Sequence, residues 1–191
     1  MNFKRMLLIS LVVSLGLWIL FTWPLPRYLS SGIPAAAHIA ASETQMMIPG
    51  DHLQFLYHCW LAKDMLAGKT PVFYNLYEFN TGNDLLRYQP GAYFVPFSLV
   101  YALSSWLGGQ AFGWNLTGFI SIWLTFLFTW LLLRRYMQSN IIAGISSIVA
   151  ITLPYRWISM LGGSPTGFAM MWIPLLLLGI DKAVRENSIW G

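Results

Sequence analysis

Charge is what this sequence has least of. Only 9% of its 191 residues are Asp, Glu, Lys or Arg, 11 of them basic and seven acidic, with three histidines besides. The single cysteine, Cys59, excludes an internal disulfide, and no Cys/His spacing suits zinc. The formal net charge of +4 gathers into no basic stripe interleaved with aromatics on a polar face, which excludes a nucleic-acid partner. Internal repeats and low-complexity tracts are missing too. What the chain has instead is apolar surface: 57% of its residues are hydrophobic, including 10 Trp, 12 Phe and nine Tyr. No soluble domain of this size needs so much, and the apolar runs are too long for core strands. The sequence therefore predicts an all-α integral membrane protein, a single membrane domain over residues 1–191, whose few cations act as topology signals.

Asn2-Phe3-Lys4-Arg5 precedes an uncharged run at residues 6–23, which at 1.5 Å per residue spans about 27 Å of hydrocarbon. A cleaved signal peptide is the rival. Ala35-Ala36-Ala37, its only small-residue cleavage motif, lies too far beyond the run, after Pro24 and Pro26. Residues 24–111 are predicted as one long external loop with two helices of its own. The first, near residues 51–67, is amphipathic and stopped by Gly68. The second, near 93–107, is apolar but short, interrupted by Pro96, and lies at the interface. Spans follow at residues 112–133, 141–157 and 167–184. Four spans place Lys4, Arg5, Arg134, Arg135, Lys182 and Arg185 on one side, next to span ends, and the positive-inside rule selects that arrangement. Making residues 93–107 a span would instead put Arg134 and Arg135 outside. Both termini are thus expected in the cytoplasm.

The stretch Pro49-Gly50-Asp51-His52-Leu53-Gln54-Phe55-Leu56-Tyr57-His58-Cys59-Trp60 concentrates polar groups in a chain that has few. Asp51, Gln54 and His58 stand at i, i+3 and i+7, so a helix puts them on one face. Leu53, Phe55, Leu56, Trp60 and Leu61 then turn toward the membrane or the spans, with Lys63 and Asp64 on the wet side. Asp-x-x-Gln ahead of an apolar run is close to a capping box, in which Asp51 accepts a backbone N–H bond. An N-cap carboxylate can also work as a base, so the structural and the catalytic roles of Asp51 both stay open.

In order and hydrophobic rhythm, nearly the whole chain resembles the first part of the GT-C superfamily of membrane glycosyltransferases. The resemblance is carried by Pro49-Gly50-Asp51-His52-Leu53-Gln54-Phe55, Trp60, Gly68-Lys69-Thr70-Pro71, Gly82-Asn83-Asp84-Leu85-Leu86, Leu131-Leu132-Leu133-Arg134-Arg135-Tyr136 and Leu153-Pro154-Tyr155-Arg156. It implies transfer of a sugar from a polyprenyl-phosphate-type lipid donor on the non-cytoplasmic face of a bacterial or archaeal cell membrane. Asp51 corresponds to the family's early-loop acid, as general base or metal partner. Many members carry a further acidic motif where residues 158–165 here hold no acid, and the family module has about seven spans. The chain is accordingly expected to be part of a longer module or to work with a partner subunit.

Glycosyl transfer needs a base for the acceptor hydroxyl and cations for the departing phosphate. Asp51 is the candidate base. Gln54 and His58 are candidates for orienting it or touching sugar hydroxyls, against a plain wet helix face. Glu78 and Asp84 are the acids placed to join Asp51 at a divalent cation, magnesium or manganese, although Asp84 in Thr-Gly-Asn-Asp also reads as a turn residue. Arg87 and Arg156 fall on the side that positive-inside bias disfavours; a phosphate anchor explains that, and so does an arginine snorkelling to the interface. Asn115-Leu116-Thr117 matches a glycosylation sequon but opens a predicted span. The alternative function is a non-catalytic membrane subunit or a transporter fragment. A transporter would show intramembrane charges or broken spans in paired halves.

Overall fold

A computed structural model describes residues 2–34, 51–75, 84–88 and 94–187, with Asp51 and Asp84 described by their backbone. These residues fold as helices and connecting turns; the one β contact among them is an isolated bridge between Tyr74 and Tyr88. Three helices, or four if a bent pair counts as one span, are long and apolar enough to cross a membrane.

Helix α1 (Phe3–Thr22) begins at Asn2, whose Oδ1 accepts the Arg5 N–H at 2.9 Å, and ends before Pro24. Its buried positions, Met6, Ser10, Ser14, Trp18 and Thr22, recur every fourth residue and form one ridge. That ridge is small and partly hydroxylated, whereas Leu8 and Leu20 on the outside are 61% and 69% exposed. The same inversion holds further along, with Ser147 buried and Ile141, Val149 and Leu176 exposed. Helices with serines inside and leucines outside are built for an apolar solvent.

After a 3₁₀ turn (Leu25–Tyr28) come α2 (Asp51–Leu66) and a second 3₁₀ turn (Asp84–Arg87). Gly68 stops α2 as the sequence predicts. At φ +69° it sits in the left-handed region, its N–H bonding the Met65 carbonyl while the Lys69 N–H reaches back to Asp64. The orientation of α2 differs from the expected one. Phe55 and Leu61 are buried, but so are His52, His58, Cys59 and Asp64, while Leu53 is 56% exposed. The helix is rotated with His52 inward, where it finds carbonyl partners on two other segments, while Asp64 is paired at 3.6 Å with the exposed Lys69 ammonium.

Helix α3 (Phe97–Leu133) joins what the sequence separates into an interfacial helix and a span, and its break falls between them. Gly109 alone leaves helical geometry, at φ 85° and ψ 178°, a conformation only glycine adopts readily. A Cβ on Gly113 would lie 3.0 Å from the Tyr101 carbonyl and 2.8 Å from Ser105 Cβ. Twelve residues of straight helix would span about 18 Å, so the first arm (97–108) folds back against the second (110–133). The first arm starts at Phe97 behind Pro96; residue 93, where a start was expected, lies outside the described residues.

The third expected span, residues 141–157, appears as α4 (Asn140–Thr152) and α5 (Pro154–Leu161), bent by 41°. Pro154 brings no N–H and holds Leu153 extended at ψ 126°. The Trp157 indole N–H donates to the Ile151 carbonyl at 2.9 Å, restoring one bond the break removes. The fourth expected span appears as α6 (Pro165–Ala169) and α7 (Trp172–Glu186), which together cover 22 residues.

The second arm of α3 is the post on which the others lean. Trp123 donates to Ser10 Oγ of α1 at 3.0 Å, Trp130 faces Gly144 of α4, and Ser121 Oγ donates to the Phe168 carbonyl of α6. Around Phe168 the rings of Phe55, Phe97 and Trp114 meet edge to face at centroid distances of 4.9, 6.1 and 5.4 Å, binding α2, both arms of α3 and α6 into one aromatic hub.

Candidate functional site

The contacts sort the bundle into two ends. At one, Arg134 approaches Met6, and Arg135 pairs with Asp181 and Glu186. At the other lie the residues after α1, the start of α2 and the end of α5. His52, the second residue of α2, joins all three: its Nε2 is 3.1 Å from the Pro34 carbonyl and 2.9 Å from the Leu161 carbonyl. Both partners only accept, so Nε2 carries the proton. Gly163 makes the approach possible. It ends α5 at φ +76°, and a Cβ there would lie 2.4 Å from His52 Cγ and 2.5 Å from His52 N. Asn115 ties down the segment after α1 by donating both amide hydrogens to the Leu29 and Gly32 carbonyls, at 2.9 and 2.8 Å. With a side chain only 2% exposed, Asn115 is a buried strut, and its sequon is a coincidence of spacing.

Pro34 and Leu161, the two residues that His52 bridges, also line an open cavity of about 730 Å³ together with Phe21, Trp23, Tyr28 and Gly32. The Arg27 guanidinium stacks over the Trp23 ring at 4.8 Å, a cation–π pairing at an exposed site. The sequence reading passed over Arg27 and Trp23. Their signal was the i, i+4 spacing of an aromatic and a cation just beyond the first span.

The residues proposed from sequence fall in different places. The Asp51 backbone opens α2 beside His52, hence next to the cavity wall; its side chain lies outside the described residues, as do Glu78 and the side chain of Asp84, and with them the magnesium or manganese site. Gln54 is exposed, whereas His58 is buried with its Nδ1 donating to the Gln54 carbonyl at 2.8 Å and its ring 5.5 Å from Phe94. The two share no exposed face. Arg87 is half-buried, and its carbonyl accepts the Asn75 N–H at 2.8 Å. Arg156 is fully buried: its guanidinium donates to Thr125 Oγ1 at 2.6 Å and Ser121 Oγ at 2.8 Å, with Nε unpaired. It is tied into the bundle through α3, away from the cavity lining.

Among the described residues no group of three His, Cys, Asp or Glu is arranged to hold a metal ion. Cys59 is buried, and burial pushes its thiol up to about 12, which disfavours the thiolate a nucleophile needs. No protein-family model, curated protein or solved structure matches this chain significantly.

Proposed function

We propose that this chain is a membrane glycosyltransferase-like protein of the GT-C type, which transfers a sugar from a polyprenyl-phosphate-type lipid donor at the cavity end of the bundle. In this reading the helices form four spans with both termini cytoplasmic. Supporting that orientation, the basic residues flanking α1, α3 and α7 lie at the end opposite the cavity. One observation carries the functional reading. The backbone of Asp51 begins a helix whose next residue is clamped to two carbonyls of the wall of a space large enough for a ligand, which supports a role for the acid there.

Asp51 would take the proton from the acceptor hydroxyl as that oxygen bonds to the anomeric carbon. The bond from that carbon to the phosphate oxygen breaks, and its electron pair leaves with the phosphate. Arg156 is committed to Ser121 and Thr125, so Arg27, stacked on Trp23 beside the cavity, is the better placed cation for the phosphate. Trp23 and Tyr28 offer flat faces to a sugar ring.

A second reading, a non-catalytic membrane subunit, is favoured by a different fact: the buried side chains of His52, Asn115 and Arg156 all serve internal contacts. Asp51→Asn separates the two, since it keeps size and much of the capping capacity while removing the charge. In the full-length or partnered form that turns over lipid-linked sugar, a general base predicts a fall of about 10²–10⁴ in rate with folding unchanged. An unchanged rate would leave Asp51 as a helix cap and remove the catalytic reading.

A further inference from the structure

At the end of the bundle opposite the cavity, Lys4, Arg5, Arg134, Arg135, Lys182 and Arg185 face two described carboxylates, Asp181 and Glu186. Both acids are already matched. Arg135 Nε bonds Asp181, Arg135 Nη1 lies 2.7 Å from Glu186, and Arg185 Nε lies 2.8 Å from Asp181. The Tyr136 hydroxyl also donates to Asp181, and Arg185 covers the Tyr136 ring at 4.6 Å. The surplus falls on Lys4, Arg5, Arg134 and Lys182, none in an ion pair with a described acid, and the first three are exposed. Among the described residues the Arg134 guanidinium bonds no oxygen. Its Nη1 lies 3.9 Å from Met6 Sδ, which puts it beside the first turn of α1 and hence near Lys4 and Arg5.

Next to Arg134 opens a cleft of about 440 Å³ with almost wholly polar walls, made by Arg134, Arg135, Tyr136, Gln138 and Asn140 together with Met137. Its height in the molecule is informative. Arg134 directly follows Leu131-Leu132-Leu133, the last turn of the 110–133 arm. The cleft therefore sits where hydrocarbon gives way to headgroups for helices that cross a bilayer. A guanidinium with unused donors at that level matches a phosphate diester bidentately, and amides beside it suit the polar groups esterified to that phosphate.

We infer that this cleft binds the headgroup of an anionic phospholipid, with Arg134 on the phosphate, Gln138 and Asn140 on the polar head, and Lys4 and Arg5 supplying local positive potential. The inference depends on the helices crossing a membrane and is independent of any sugar-transfer activity.

The test is native mass spectrometry of the detergent-purified chain with added phosphatidylglycerol or phosphatidylcholine, on wild type, Arg134→Gln and Lys182→Gln. Each variant is first checked for an unchanged melting temperature. The wild type should retain phosphatidylglycerol and not phosphatidylcholine, and Arg134→Gln should lower retention about fivefold to tenfold. Lys182→Gln, a cation at the same end outside the cleft lining, should retain lipid as wild type does, and excess inorganic phosphate should not compete. Unchanged retention in Arg134→Gln, or equal retention of the two lipids, would overturn the site. An equal loss in Lys182→Gln would replace it with diffuse charge attraction, and competition by phosphate would make it a free-anion site.

Discussion

Substituting Gly163 by alanine should separate α5 from α2 more than any other single methyl group added to a glycine of this bundle, and Gly68 provides the matched control. Both glycines end a helix in left-handed geometry, at φ +76° and +69°. A side chain there costs about 1–2 kcal/mol in backbone strain. At Gly68 nothing lies within 4 Å of the added Cβ, so Gly68→Ala suffers that strain alone. At Gly163 the Cβ would be 2.5 Å from the His52 backbone nitrogen, where ordinary contact begins at 3.4 Å. No rotamer relieves an overlap with backbone, so α2 must retreat by nearly an ångström and loosen the His52 bonds to Pro34 and Leu161. Overpacking of this kind adds about 1–3 kcal/mol, giving a total of about 2–5 kcal/mol. At about 2–4 °C per kcal/mol for a chain of this size, Gly68→Ala should melt roughly 2–8 °C below wild type and Gly163→Ala roughly 4–20 °C below. The assay is thermal unfolding in detergent followed with a thiol-reactive fluorophore, because Cys59 is the only cysteine and is buried on α2. A Gly163→Ala variant melting with Gly68→Ala would refute the clamp.

In the native protein at pH 8, Cys59 should resist maleimide: a thiol pushed up to about 12 by burial is about one part in ten thousand thiolate. Stoichiometric labelling without heat or denaturant would contradict the burial. Thr125→Val should cost about 1–3 kcal/mol by leaving an Arg156 donor unpaired in the interior. A double-mutant cycle with Arg156→Met should recover most of that loss, and additivity of the two would refute the pairing. The Tyr136 hydroxyl, bonded to the Asp181 carboxylate, is held above the ordinary phenol value of 10.0. Its contribution to stability is complete below pH 10 and declines as pH rises through the raised value. Ultraviolet titration against Tyr136→Phe should show Tyr136 ionising late, and Asp181→Asn should move it earlier.

What the sequence revealed and what it hid divide along the range of the interaction. Local chemistry was readable. The charge-free run of α1, the Gly68 stop and the separation between the arms of α3 each depend on residues within a turn or two. The bend at Leu153-Pro154 carries an equally local signal in its proline. The facing of α2 was not readable, since His52 turns inward to carbonyls 18 and 109 residues away. Arg156 shows the same limit. An arginine at a span end looks like an interface residue until Ser121 and Thr125, one turn apart on another helix, are known to face it. Trp23 and Arg27 were visible as a spaced pair, but the cavity beside them is created by the end of α5 and by residues after α1. The charge asymmetry between the two ends was the strongest long-range inference available, because it needs only the order of spans.

The aromatic hub and the His52 clamp also have a consequence in time. Phe55 and His52 belong to the first third of the chain, but Leu161 and Phe168, which cover them, are made much later. Translation at about 5–20 residues per second leaves an interval of about 5–20 s between the synthesis of His52 and of a partner 109 residues on. Throughout it, α2 can pack Phe55 on Trp114 of α3 but has an unbridged histidine and no α6 to close the hub. During biogenesis the docking of α2 is therefore completed late, and until then its open side depends on whatever shields nascent apolar helices at the membrane. Slowing synthesis between residues 66 and 160 should lengthen its exposure to proteases before any other part of the bundle is affected.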